Sequence, residues 1–147
     1  MGTFRRFEEI EAWKLGRELN RLVYEATAGG AFAKDFALRD QIRRASISVS
    51  SNVAEGYARR SPADFARFLT IARASAAEVR SQLYLALDLG YLDTDTFDAL
   101  YDLARRAGGA CGGLARYLRT APPRATREPG AEWSLDVSDD ETLNPEP

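Results

Sequence analysis

Residues Gln41–Arg60 read QIRRASISVSSNVAEGYARR, the pattern of one helix with two unlike faces. Ile42, Ala45, Val49 and Val53 recur at steps of three or four and form an apolar stripe. Ser48, Asn52 and Glu55, spaced four and three apart, stack in a polar row along its edge. A buried amide or carboxylate left without a partner costs about 1–3 kcal/mol. The row therefore predicts a structural polar network, with partners supplied by another helix or by another copy of the chain. The alternative is a solvated helix edge. Gly56 lies in the last turns, where a helix brings its backbone close to a neighbour.

Working outward, three further amphipathic helices flank this one. The first is predicted from Phe7 to about Thr27, with Ile10, Trp13, Gly16, Leu19, Leu22, Val23 and Ala26 at helical spacing and Glu8, Glu9 and Glu11 at its positive dipole end. Ala28-Gly29-Gly30 stops it, and a short loop follows in which Phe32 and Phe36 are expected to cap the end of the bundle. The opening stretch then forms a helix from about Phe36 to Tyr57. Ser61-Pro62-Ala63-Asp64 is a strong start signal: an N-cap serine, proline at the first helical position and an acid three residues past the cap. The third helix carries Phe65, Phe68, Leu69, Ala72, Ala76, Val79, Leu83 and Ala86 as far as Gly90. Asp93 or Thr94 caps the fourth, whose stripe is Phe97, Leu100, Ala104, Ala107, Cys111, Leu114 and Leu118. Inside it lies Gly108-Gly109-Ala110-Cys111-Gly112-Gly113, where each glycine costs about 1 kcal/mol against alanine. Either the helix kinks there or a neighbouring helix packs closely against it. Long stripes of this kind ask for antiparallel neighbours, so the fold class is all-α, an up-down-up-down four-helix bundle over residues 1–120. From Ala121 the helical period dissolves into a proline-rich, acidic segment, predicted to be a disordered tail over residues 121–147. Within it Trp133, Leu135 and Val137 alternate, and this segment either solubilises the chain, folds back on the body or docks on a partner.

Composition narrows the function. The 147 residues are 45% hydrophobic and carry 20 Lys+Arg against 22 Asp+Glu, a net charge of −2. That balance hides an asymmetry. Residues 1–120 hold 18 cations and 15 acids (+3); residues 121–147 hold 2 and 7 (−5). With one cysteine and no histidine, the chain forms no internal disulfide and no histidine-based metal site or triad. Neither a leader-like segment nor a long apolar run stands out, which predicts a cytoplasmic protein with no membrane partner. No strand-borne glycine-rich phosphate loop is present, and carboxylates such as Asp95 and Asp98 sit at a helix start that explains them. The expectation is a protein that is not an enzyme, with no cofactor, metal or small-molecule substrate. Of the 20 cations, 18 are arginine, whose planar fork suits phosphate and carboxylate. Arg39, Arg43, Arg44, Arg59, Arg60, Arg67 and Arg73 all fall on the second and third helices and their junction, and Asp40, Glu55 and Asp64 are the only acids between positions 39 and 77. This set is the candidate nucleic-acid-binding surface. Without an aromatic stacking platform in view, it predicts recognition of backbone or shape.

The run R-R-A-S-x-S-x-x-S-N-V-A-E-G resembles the signature of a bacterial four-helix-bundle family encoded in intervening sequences of 23S rRNA genes. Relatives of that family act as accessory proteins of diversity-generating retroelements. The resemblance spans about residues 4 to 120. It takes in F-x-x-I-x-A-W near the start, V-Y-x-x-T at Val23–Thr27, Phe36-x-Leu38-x-x-Gln41-Ile42-Arg43-Arg44-Ala45, Ser51 to Gly56, Ser61 to Phe68, Gln82-Leu83 and Leu89-Gly90-Tyr91-Leu92. It implies a ring-like homopentamer with a basic surface, associated with ribosomal or other structured RNA or with a reverse transcriptase. The rival expectation is a homo-oligomeric interaction scaffold without a nucleic-acid role. Departures from the family pattern are Ser50 in place of a usual proline, Ala33 and Ala37 in place of a proline and a glycine, the glycine-rich fourth helix and the acidic tail.

Overall fold

The computed structural model describes residues 3–120 and 135–136. Five helices carry the fold: α1 (Glu11–Ala26), α2 (Gly30–Lys34), α3 (Phe36–Ala58), α4 (Pro62–Asp88) and α5 (Thr94–Thr120). α2 is a single short turn, and the other four form the bundle. Around it, α1 packs on α3 and α5, and α4 packs on α3 and α5. Cross-links fix the directions. Thr27 meets Arg43 and Asn20 meets Ser50, so α1 and α3 are antiparallel. Ser48 meets Ser75 across α3 and α4, and Thr70 meets Arg119 across α4 and α5.

The predicted boundaries hold closely for α3, α4 and α5. Two local expectations change. The first helix divides: Phe7–Glu9 is a 3-10 turn, and Ile10, extended and 1% exposed, occupies the N-cap position of α1. Burying Ile10 in the core takes it out of helical register with the turn before it. The anticipated loop contains α2, entered through Gly30 at φ +65°. Phe32 seals that end of the bundle as expected, buried against the Tyr91 ring at 5.2 Å. Phe36 does not: it is 63% exposed, with the Arg39 guanidinium over its face. It starts α3 directly after the Asp35 cap, and that register turns it to solvent. Asp35 accepts from the Leu38 N–H at 3.1 Å and from the Tyr91 hydroxyl at 3.0 Å. It thus ties the start of α3 to the α4–α5 turn.

The caps at the other starts follow the sequence. Ser61 accepts from the Asp64 N–H with Pro62 in the first turn of α4, and Asp93 accepts from the Thr96 N–H at 2.7 Å before α5. That hydrogen bond to the ionised form holds the Asp93 carboxyl below its ordinary range.

The core is one continuous cluster with Leu19, Val49, Val53, Phe65, Leu69, Val79 and Leu83 at 0–1% exposure. Small residues bring the helices close. A Cβ on Gly16 would stand 3.1 Å from the Ser50 backbone nitrogen, and one on Gly56 only 2.6 Å from Phe68 Cβ. α5 runs unbroken through its glycines, because Gly108 lies against Ala76 of α4 (3.3 Å from a built Cβ). The fourth helix therefore does not break: Gly108 and Gly112 are closely packed, and Gly109 is not. Cys111 is fully buried there, and burial pushes its thiol up to about 12. It acts as a small apolar side chain, as its place on the stripe predicts.

At the open end, β1 (Thr3–Phe4) pairs antiparallel with β2 (Leu135–Asp136), Phe4 opposite Leu135. The tail is predicted to be disordered, with folding back on the body as one alternative for its apolar segment; Leu135–Asp136 pair with β1. The period-two alternation of Trp133, Leu135 and Val137 was the signal for it. The rest of residues 121–147 lies outside the described residues. Phe4 is buried, and its carbonyl accepts from the Tyr57 hydroxyl at 2.8 Å, which anchors this pairing to the end of α3.

Candidate nucleic-acid interface

The seven arginines singled out in the sequence divide among three places on the subunit. Arg39 and Arg43 lie on the first half of α3. Arg39 pairs with Asp40 (2.9 Å) and donates to the Ala33 carbonyl. The Arg43 guanidinium carbon sits 4.3 Å from the Tyr24 ring centroid, and its Nε donates to the buried Thr27 hydroxyl at 2.7 Å. Both guanidiniums are thus committed to holding the start of α3 on its surroundings. Arg44, one position on, is exposed.

Arg59, Arg60 and Arg67 gather at the α3–α4 turn, sixteen residues on from Arg43 and so roughly 24 Å along the helix. The Arg59 and Arg67 guanidiniums flank the Phe68 ring at 5.1 and 4.7 Å, and their acid neighbours are Glu55 (3.4 Å) and Asp64 (3.9 Å). Arg60 makes the turn itself at φ +57°, a left-handed conformation uncommon for a residue with a side chain.

Arg73 faces the other way, into a groove between α4 and α5. The groove encloses about 650 Å³ and is lined by Arg73 and Arg80 of α4, Arg105 and Arg116 of α5, and a floor of alanines and glycines that includes Ala76, Gly108, Gly109 and Gly112. No acid lines it. Arg105 pairs with Asp102 at 2.9 Å outside the groove, whereas no ion pair among the described residues involves Arg73, Arg80 or Arg116. The stem of Arg73 lies on Gly112, with a built Cβ only 3.1 Å from its Cδ. A side chain at 112 would thus crowd the arginine off the floor. At one end Arg119 donates to the Thr70 hydroxyl at 2.8 Å. Arg105 and Arg116 lie off the apolar stripe that marks the fourth helix in the sequence. The signal was present: Arg105, Gly109, Gly112 and Arg116 are spaced four, three and four, which places two cations and two gaps on one helix face. Facing them, Arg73, Ala77, Arg80 and Tyr84 repeat the same spacing.

The polar row of α3 resolves differently for its members. The Ser48 and Ser75 hydroxyls are 2.8 Å apart, and the Asn52 amide donates to the Ser48 carbonyl (2.7 Å) and hydroxyl (2.9 Å). Within the subunit Ser48 thus meets α4, while Asn52 bonds back to Ser48 of its own helix. Glu55 stands apart, exposed and paired with Arg59. Ser50, where the resemblance leads one to look for proline, accepts from the Asn20 side chain at 2.8 Å and donates to the Ile47 carbonyl at 3.3 Å.

Among the described residues, no group of three or more acidic or cysteine side chains could hold a metal, and no helix is long and apolar enough to cross a membrane. A family model described as 23S rRNA-intervening sequence protein matches residues 8–111. A solved structure from Bacteroides thetaiotaomicron VPI-5482, described as a protein with unknown function from the S23 ribosomal protein family, shares the fold: the TM-score is 0.64, at 22% identity, over 71% of this chain and 98% of that one. No curated protein matches.

Proposed function

This chain belongs to the 23S rRNA-intervening sequence protein family, and on that premise we propose that it is a non-enzymatic helical bundle that assembles with copies of itself and binds structured RNA, free or within an RNA–protein assembly. One observation carries the RNA reading: the α4–α5 groove brings four guanidiniums together around a small-residue floor, with no acid among the described residues that line it. Arginine forks pair with phosphate oxygens in two parallel hydrogen bonds. Four arginines in one groove, on a chain of net charge −2, concentrate that capacity in one place. The arginines at the α3–α4 turn extend the basic surface.

Self-assembly rests on the family resemblance, which implies a homopentamer, and on Ile47 and Ile71, which leave 40% and 41% of their surface open on the α3–α4 pair. In a ring, the grooves of successive subunits form a repeating set of phosphate sites.

Two measurements on the full chain test this reading. The mass in solution is expected to be a multiple of the 16.3 kDa subunit, and binding to a structured RNA is expected to weaken steeply with salt through counterion release. A monomer that binds RNA weakly, with no salt dependence, overturns the proposal and leaves an interaction scaffold. Asn52→Leu breaks the side-chain bonds Asn52 makes among the described residues, both to Ser48 of its own helix; if the row also borders the contact between copies, the variant changes the mass distribution.

A further inference from the structure

Next to the arginine groove, one helical turn beyond Arg80 and Arg105, three aromatic rings pack together. Tyr84 of α4 lies 5.1 Å from Phe97 and 5.5 Å from Tyr101, while Phe97 and Tyr101 stack at 5.5 Å and 28°. Phe97 is buried, and Tyr84 keeps 51% of its surface open. The Arg80 guanidinium reaches over the Tyr101 ring at 5.7 Å, so the cationic track runs directly into the aromatic cluster. Tyr84 is thus a ring fixed from behind and open in front, at the end of the arginine groove.

We propose that the α4–α5 groove holds a single-stranded segment of RNA, with its phosphates on Arg73, Arg80, Arg105 and Arg116 and an unpaired base stacked on Tyr84. This rests on the RNA reading above and names the form of RNA that the same groove takes. Three features select it. The floor is mid-helix, with its backbone N–H and C=O groups already bonded within α4 and α5. An extended acidic peptide laid there would find no partner for its own amides, whereas a sugar–phosphate chain carries its charge on every residue and has no amides to satisfy. Bases in a duplex are stacked and paired internally and offer no free face to Tyr84, while a loop or an end does. Aromatic stacking beside a cationic groove is the pairing by which single strands are held without reading their sequence.

The test uses the full-length protein and a labelled single-stranded RNA oligonucleotide, the same oligonucleotide annealed to its complement, and a version with abasic sites, all at one salt concentration. The single strand is expected to bind several-fold more tightly than the duplex. Tyr84→Ala is expected to weaken single-strand binding by about five- to a hundredfold, with Tyr84→Phe close to the wild type and duplex binding unmoved. The abasic oligonucleotide reports the same loss with no change to the protein, which covers the case in which Tyr84→Ala fails to fold. Equal affinity for duplex, single strand and abasic strand overturns the inference while leaving RNA binding in place. Poly-glutamate competing as well as the RNA also overturns it, in favour of an acidic peptide. No binding to any of the RNAs overturns both this inference and the reading it rests on.

Discussion

Gly56→Ala is expected to destabilise the bundle by about 2 kcal/mol, whereas Gly109→Ala is expected to stabilise it by about 1 kcal/mol. Both substitutions place a methyl group on a helical glycine, and both gain the same helix propensity. They differ in what the methyl meets. At position 56 the new Cβ falls 2.6 Å from Phe68 Cβ and 3.3 Å from the Phe65 ring. Phe68 Cβ is bonded directly to the α4 backbone, so no rotamer change moves it away, and relief requires α3 and α4 to part. Parting them opens the seam where Val53, Phe65 and Leu69 are fully buried. That overpacking outweighs the propensity gain. At position 109 nothing lies within 4 Å of the new atom, so the propensity gain stands alone. Gly108, 3.3 Å from Ala76 Cβ, falls between the two and is expected to be close to neutral. Urea melts of the three variants against the wild type decide the matter. A Gly56→Ala protein as stable as the wild type would mean that α3 and α4 are not in this close contact.

The same contrast shows what the sequence could tell. The four long helices and their stripes were legible because period-three-and-four burial is a local property of the chain. Ser61 and Asp93 announced two helix starts for the same reason. What was not legible depended on neighbours distant in sequence. Glu55 looked like a member of the polar row with Ser48 and Asn52, since all three share a helix face. Whether a residue of that face meets another helix is decided by α4, which brings Ser75 to Ser48 and leaves Glu55 to Arg59. Likewise the glycines of α5 read as a weakness to be excused. Only with α4 in place do they become the floor on which Arg73 lies. The aromatic cluster was hidden in the same way, because Tyr84 and Tyr101 belong to different helices and meet only through the hairpin. Arg39 and Arg43 show the reverse. They looked available, and the fold engages them with Phe36, Tyr24 and Thr27.

From that division of the arginines comes the largest functional effect. The double variant Arg73→Glu/Arg116→Glu is expected to lower RNA affinity at least about a hundredfold at moderate salt, because each charge-assisted hydrogen bond to phosphate contributes about 1.5–3 kcal/mol. It is also expected to flatten the salt dependence. Four phosphates held by one groove give a slope near −3 in log affinity against log salt, at about 0.7 per single-strand phosphate, and losing two of the contacts brings it to about −1.4. Both side chains are exposed and neither belongs to an ion pair among the described residues, so the fold should survive the change, and circular dichroism checks that it does. Arg39→Glu/Arg43→Glu is the counterpart. Its arginines are bound to Asp40, the Ala33 carbonyl and the buried Thr27 hydroxyl, so it should lower thermal stability while leaving the salt slope near its wild-type value. Arg59→Glu/Arg67→Glu lies at the turn, beside Phe68, and should shift affinity by less than the groove pair, since Glu55 and Asp64 already offset part of that charge. The ordering is what matters: groove first, turn second, start of α3 last. If the turn or the start of α3 controls the slope and the groove pair binds as the wild type does, phosphate is held elsewhere, and the groove between α4 and α5 has no part in recognition.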